Sequence, residues 1–206
     1  MKTANAKVAS KAWWAIGAAG LVLVVATALV ANRQISILEE DLLNLAYGLP
    51  GPFTEIMYVV TQAGSVGAVL AVVATAFVLK RRRLAGLLLG NALFAYVISS
   101  VIKELIARPR PAEVLPDIIV RLEYASGFGF PSGHTAIATA MALTLMPYTA
   151  RKYQWLLWLW IAGVAFSRLY LGVHAPLDVI GGFCIGVIVA NAGRLVASRM
   201  ASSKSR

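Results

Sequence analysis

The chain has 206 residues, 59% of them hydrophobic and 14% charged, with a mean hydropathy of +0.75, and that balance excludes an ordinary soluble globular domain. A net charge of +10 would suggest a nucleic-acid partner in a soluble protein. In so apolar a chain it asks instead where the charges sit, and no nucleic acid is expected.

In chain order, the first apolar run spans 13–31 behind Lys2, Lys7 and Lys11. It exceeds the 7–15 residues of a signal-peptide core and ends without an A-x-A-like cleavage site, so it reads as a retained span. Ile35, Leu38, Leu42 and Leu45 then recur at helical spacing against Glu39, Glu40 and Asp41, the pattern of an amphipathic helix lying at the outer interface. Gly48, Pro50, Gly51 and Pro52 break it, and Thr54-Glu55 can start a short helix before Gly64. Further apolar runs at 66–79, 84–106, 132–147, 154–171 and 176–196 approach the roughly 20 residues that cross a hydrocarbon core. The expected fold is all-α: a six-transmembrane-helix bundle with an interfacial helical segment between the first two spans. One domain over 1–206 accounts for the length, and Cys184, the single cysteine, allows no intramolecular disulfide.

Six spans put both termini and the loops at 80–83 and 148–153 on one side of the membrane. That side carries 13 of the 19 basic residues and none of the nine acidic ones. The positive-inside rule makes it cytoplasmic, so the polar segments described next face outward from the cell (inner) membrane.

Ionisable residues beside long apolar runs are by default a functional-site hypothesis. Lys103 falls in the last turn of the third span, and Pro109 with Pro111 stops the helix, leaving Arg110 just beyond it. Taken alone, such cations also fit interfacial anchors. Gly127-Phe128-Gly129-Phe130-Pro131-Ser132-Gly133-His134 makes a tight loop with Ser132 at an N-cap, and a helix N-terminus is an anion site to which Ser132 and Gly133 would donate. A plain cap beside an interfacial histidine fits this tetrapeptide as well. In the third segment Pro176 opens the last helix, His174 sits at its mouth and Asp178 lies one turn inside. An aspartate accepting from one ring nitrogen fixes the tautomer and leaves the other as a nucleophile, although it could instead cap the helix. Phe128, Phe130 and Tyr124 near the mouth read as interfacial anchors. The two histidines form no spaced ligand set and the acidic residues are scattered, so neither a metal nor another cofactor is expected.

Together the segments read Lys-x6-Arg-Pro (Lys103, Arg110, Pro111), Pro-Ser-Gly-His (131–134) and Ser-Arg-x5-His-x3-Asp (Ser167, Arg168, His174, Asp178). In this order and without departure they resemble the three motifs of the type 2 phosphatidic acid phosphatase superfamily, integral membrane lipid phosphatases, over a core of about 50–196. The resemblance implies that His174 attacks phosphorus to form a phosphohistidine, Asp178 orients it and His134 protonates the leaving oxygen. Lys103, Arg110, Arg168, Ser132 and Gly133 would hold the phosphate without a metal.

The expected partners are therefore the bilayer and a lipid phosphate drawn from it. Undecaprenyl pyrophosphate is favoured over phosphatidylglycerophosphate and phosphatidic acid, because a pyrophosphate bond releases the better leaving group. A haloperoxidase-like protein shares the phosphate-shaped pocket but is soluble. A transporter or channel would spread its charges through the bilayer depth, whereas these gather at one face.

Overall fold

The computed structural model describes residues 2–122 and 125–203. Among them the regular structure is helical throughout, with no strand. The helices are α1 (Lys2–Val30), α2 (Ile37–Tyr47), α3 (Thr54–Gln62), α4 (Val66–Val78), α5 (Arg82–Ile106), α6 (Pro111–Val114), α7 (Gly133–Leu145), α8 (Gln154–Tyr170) and α9 (Pro176–Ser203), with short 3-10 turns before α3 and between α7 and α8.

Each expected apolar span is a helix, but they are unequal. Ala9–Val30, Arg82–Val114 and Pro176–Met200 are long and apolar enough to cross a membrane. A fourth span is added if Gly51–Gln62 and Val66–Val78, which meet at 51°, count as one. Helices α7 and α8 have only 13 and 17 residues; α7 is closed off by Pro147, which lies in a 3-10 turn.

Helix α7 is the centre of the packing. It meets α5, α8 and α9, while α1 lies along α9 and α4 along α5. Its sequence of alanines and threonines, buried from Thr135 to Ala142, allows backbones to approach closely. The partner face on α9 is Gly182 and Gly186, one turn apart. A Cβ on Gly182 would run into Ser132 O, and one on Gly186 would lie 2.7 Å from Ala136 O. Ala136 and Ala140 then pack with Ile185, Val189 and Ala95.

Chain direction gathers the functional segments. The C-terminal ends of α5 and α8 and the N-terminal ends of α7 and α9 fall at one end of the bundle, where Val30 of α1 packs with Phe130 and Leu177. The opposite end carries Arg82 and Arg83 at the start of α5, Arg151 and Lys152 before α8, and Arg199 late in α9.

Helix α2 forms where the periodicity placed it, begun by a Ser36–Glu39 capping box. Of the acidic face, Glu39 turns toward the bundle. Glu39, Leu43 and Ala46 are buried, whereas Leu38, Leu42 and Leu45 are exposed. Phe130 also departs from the reading as an interfacial anchor: it is fully buried, because the loop before α7 turns inward against α1. Phe128 is half-buried, and Tyr124 lies outside the described residues.

Candidate active site

Helix α5 stops at Ala107, which takes a left-handed conformation (φ 50°) and returns its N–H to Lys103 O. The prolines at 109 and 111 prevent resumption of the same helix axis. Lys103, in the last turn, and Arg110, beyond the break, both turn toward the loop that precedes α7. Arg110 is buried and donates from Nε to Gly127 O, from Nη2 to Ser126 O and from Nη1 to Val173 O, each at 2.8 Å. Lys103 donates to Phe128 O and Gly129 O. The first two cations thus hold four consecutive carbonyls of that loop, and Arg110 ties it to the residue preceding His174. The sequence offers a phosphate role or an interfacial anchor for them, and this hold on the loop is an addition to both.

Ser132 is the N-cap of α7, although its side chain makes no cap bond. Its N–H donates to Asp178 O at 2.8 Å, and its Oγ accepts from Thr135 Oγ1 at 3.1 Å. The hydroxyl proton of Ser132 is therefore available to a further acceptor. Gly133 and His134 open the helix, and the bend between α3 and α4 presses on them. A Cβ on Gly64 would lie 2.8 Å from His134 O.

Arg168, in the last turn of α8, is almost wholly buried, with Nη1 donating to Thr61 Oγ1 of α3 at 2.7 Å. Its carbonyl accepts from the N–H groups of Val173 and His174, so the turn after α8 delivers His174 to the start of α9. His174 Nδ1 lies 3.3 Å from Asp178 Oδ2, which also accepts from Ala175 N at 2.9 Å. Burial, and after it the charges of Lys103, Arg110 and Arg168 with a smaller push from His134, hold the His174 imidazole well below the usual histidine range. That direction favours the neutral imidazole. With Nδ1 engaged by Asp178, Nε2 carries the lone pair.

Lys103, Arg110, Arg168, Ser132, Gly133, His134, His174 and Asp178 are all brought to this end of the bundle. Two further residues join them. Arg108 is fully buried and donates to Asp178 Oδ1 at 2.8 Å, to Glu39 at 2.7 and 3.2 Å, and to Gln34 O at 2.7 Å. Glu39 reaches in from α2. Sequence reasoning missed both, since Arg108 occupies an unspecified position inside Lys-x6-Arg-Pro and Glu39 was assigned to a polar face. The available signal was a second Arg-Pro pair at membrane depth, where an unpaired guanidinium is costly. No group of three or more His, Cys, Asp or Glu that could hold a metal ion is found among the described residues.

This geometry offers a neutral, oriented imidazole beside three cations and two helix N-termini, an arrangement suited to a phosphoryl group. The PAP2 superfamily profile matches residues 83–200. The chain belongs to the PAP2 superfamily. The undecaprenyl-diphosphatase of Sulfolobus acidocaldarius is 29% identical over 84% of this chain and 85% of its own length. The decaprenylphosphoryl-5-phosphoribose phosphatase of Mycobacterium tuberculosis is 35% identical over 60% of this chain and 68% of its own. The crystal structure of a transmembrane PAP2-type phosphatidylglycerolphosphate phosphatase from Bacillus subtilis superposes with a TM-score of 0.75, covering 90% of this chain and 97% of that one at 24% identity, which establishes the common fold. The protein is accordingly a hydrolase of the PAP2 phosphatase class.

Proposed function

We propose that this protein removes the terminal phosphate of a membrane lipid phosphate or pyrophosphate through a phosphohistidine on His174. The observation that carries the reading is the buried His174 imidazole with Nδ1 against the buried Asp178 carboxylate, in the field of Lys103, Arg110 and Arg168. In the first step Nε2 attacks phosphorus and the bond to the leaving oxygen breaks, with His134 donating a proton to that oxygen. In the second, water attacks the phosphohistidine, the N–P bond breaks, His134 accepts the water's proton, and phosphate leaves. Phosphoryl transfer asks mainly for positioning and charge neutralisation. The three cations, the Ser132 hydroxyl and the Gly133 N–H would supply these without a metal.

The same reading takes α1, the bent pair α3–α4, α5, α7, α8 and α9 as six spans of one domain. Both termini are cytoplasmic and the site opens outward, with α2 at the outer interface. The basic residues at the end of the bundle opposite the site support this orientation.

Undecaprenyl pyrophosphate is the favoured substrate. A pyrophosphate releases a phosphate-stabilised leaving group, and the names of the Sulfolobus and Mycobacterium relatives both refer to polyprenyl-linked phosphates. Phosphate release from undecaprenyl pyrophosphate, phosphatidylglycerophosphate and phosphatidic acid in matched detergent micelles tests the choice. The polyprenyl pyrophosphate should give the highest kcat/KM. A tenfold preference for phosphatidylglycerophosphate, about 1.4 kcal/mol of transition-state stabilisation, would overturn it.

A further inference from the structure

Beside His174 and Asp178, two buried ionisable residues, Arg108 and Glu39, have as yet no part in the reaction. Asp178 divides its two oxygens. Oδ2 serves His174 Nδ1 and Ala175 N, while Oδ1 is taken by Arg108. Arg108 is then fixed from the other side by both oxygens of Glu39. Glu39 does a second thing: its Oε1 accepts from Leu177 N at 3.1 Å, in the first turn of α9. One carboxylate on α2 therefore holds both the guanidinium that grips Asp178 and the end of the helix that carries Asp178.

We infer that Glu39 and Arg108 are positioning residues for the nucleophile, and that docking of α2 onto the start of α9 completes the active site. The inference rests on the reading of His174 as nucleophile. A carboxylate turns broadly about its last torsion, and the contacts of Oδ2 with Ala175 N at 2.9 Å and His174 at 3.3 Å hold only one of its oxygens. The short Arg108 bond to the other oxygen fixes the plane of the group and keeps Oδ2 directed at the imidazole. Stability alone is a poor reason for the cluster, because apolar residues of similar volume often replace buried ion groups without loss.

The arrangement has an electrical signature. His174 is faced by Lys103 of α5, Arg110 beyond it, His134 of α7, Arg168 of α8 and Asp178 of α9, with Arg108 and Glu39 behind Asp178. Removing the Glu39 charge makes this environment more positive and disfavours the imidazolium; removing the Arg108 charge does the reverse.

The test compares Glu39→Gln, Arg108→Met, their double variant and the conservative Arg108→Lys with the wild-type protein in detergent. In each single variant kcat should fall tenfold or more while KM stays within threefold. The acidic limb of the kcat/KM profile should move to lower pH in Glu39→Gln and to higher pH in Arg108→Met. In the double variant the limb should return toward its wild-type position with kcat still low, and Arg108→Lys should recover part of kcat. If Arg108→Met does not fold, the near-isosteric Glu39→Gln decides. A lowered melting temperature with kcat and the acidic limb unchanged would make the cluster merely structural and overturn the inference. His174→Ala run alongside separates the two proposals: near wild-type turnover there would sink the proposed mechanism itself, whereas loss of turnover there with an unaltered Glu39→Gln removes only the positioning role.

Discussion

Replacing Arg110 by lysine keeps the charge and removes the geometry, and it should cost far more than a conservative change. The guanidinium uses three nitrogens on three carbonyls, Ser126, Gly127 and Val173, each at 2.8 Å, from a side chain that is 7% exposed. A lysine ammonium is a compact point donor and cannot reproduce a planar fork spread over two segments. At least two of the bonds are lost. Hydrogen bonds to charged groups contribute about 1.5–3 kcal/mol each, so about 3–6 kcal/mol is removed from the link between the 126–127 loop and the turn carrying His174. At about 1.4 kcal/mol per decade, this corresponds to a fall of roughly 10²- to 10⁴-fold in kcat/KM, less whatever share appears as reduced stability. Phosphate release in detergent micelles measures the first part, and limited proteolysis within 125–129 measures the loosening of the loop. Wild-type protease resistance together with kcat/KM within fivefold of wild type would refute the reasoning.

Gly182→Ala should lower stability by about 1–3 kcal/mol and kcat by about a hundredfold, because its Cβ would press α9 against the backbone of Ser132 and Ala136. Gly86→Ala, with open space around its Cβ, serves as the control and should be neutral or stabilising. Nuclear magnetic resonance of labelled histidine resolves only His134 and His174; the His174 signal should remain neutral as pH falls through about 6.5, since its pKa is lowered, and titration at the ordinary value would contradict this. With Cys184 replaced, cysteines at the exposed positions Ser126 and Lys152 should label with an impermeant thiol reagent from opposite sides of the membrane, Ser126 from outside; the reverse pattern would place the site at the cytoplasmic face.

The sequence reveals most where function depends on near neighbours. The stop after Lys103, the start of α7 at Gly133 and the start of α9 at Pro176 follow from prolines, glycines and caps within a few residues of one another. The pairing of His174 with Asp178 follows from four residues of helical spacing. Glu39 and Arg108 are different, because they meet only after α2 folds back across the end of the bundle, 69 residues away in the chain. Periodicity assigned Glu39 to the outside because its neighbours Glu40 and Asp41 are acidic too. It could not register a guanidinium waiting beneath the helix. Phe130 differs for a similar reason: a loop aromatic between Gly129 and Pro131 looks exposed until α1 is present to cover it. The unequal helix lengths were also hidden, since apolar runs continue into turns that are not helical.

The phosphohistidine is the central claim, and trapping it is the most direct test. Protein incubated with lipid pyrophosphate labelled in its terminal phosphate and quenched in alkali, which preserves N–P bonds, would be digested and mapped by mass spectrometry. Phosphate should appear on the peptide containing His174, be absent from His174→Ala, and form more slowly in His134→Ala. Undiminished turnover by His174→Ala, with no phosphate on His174 of the wild-type protein at any time during turnover, would contradict covalent catalysis at this site.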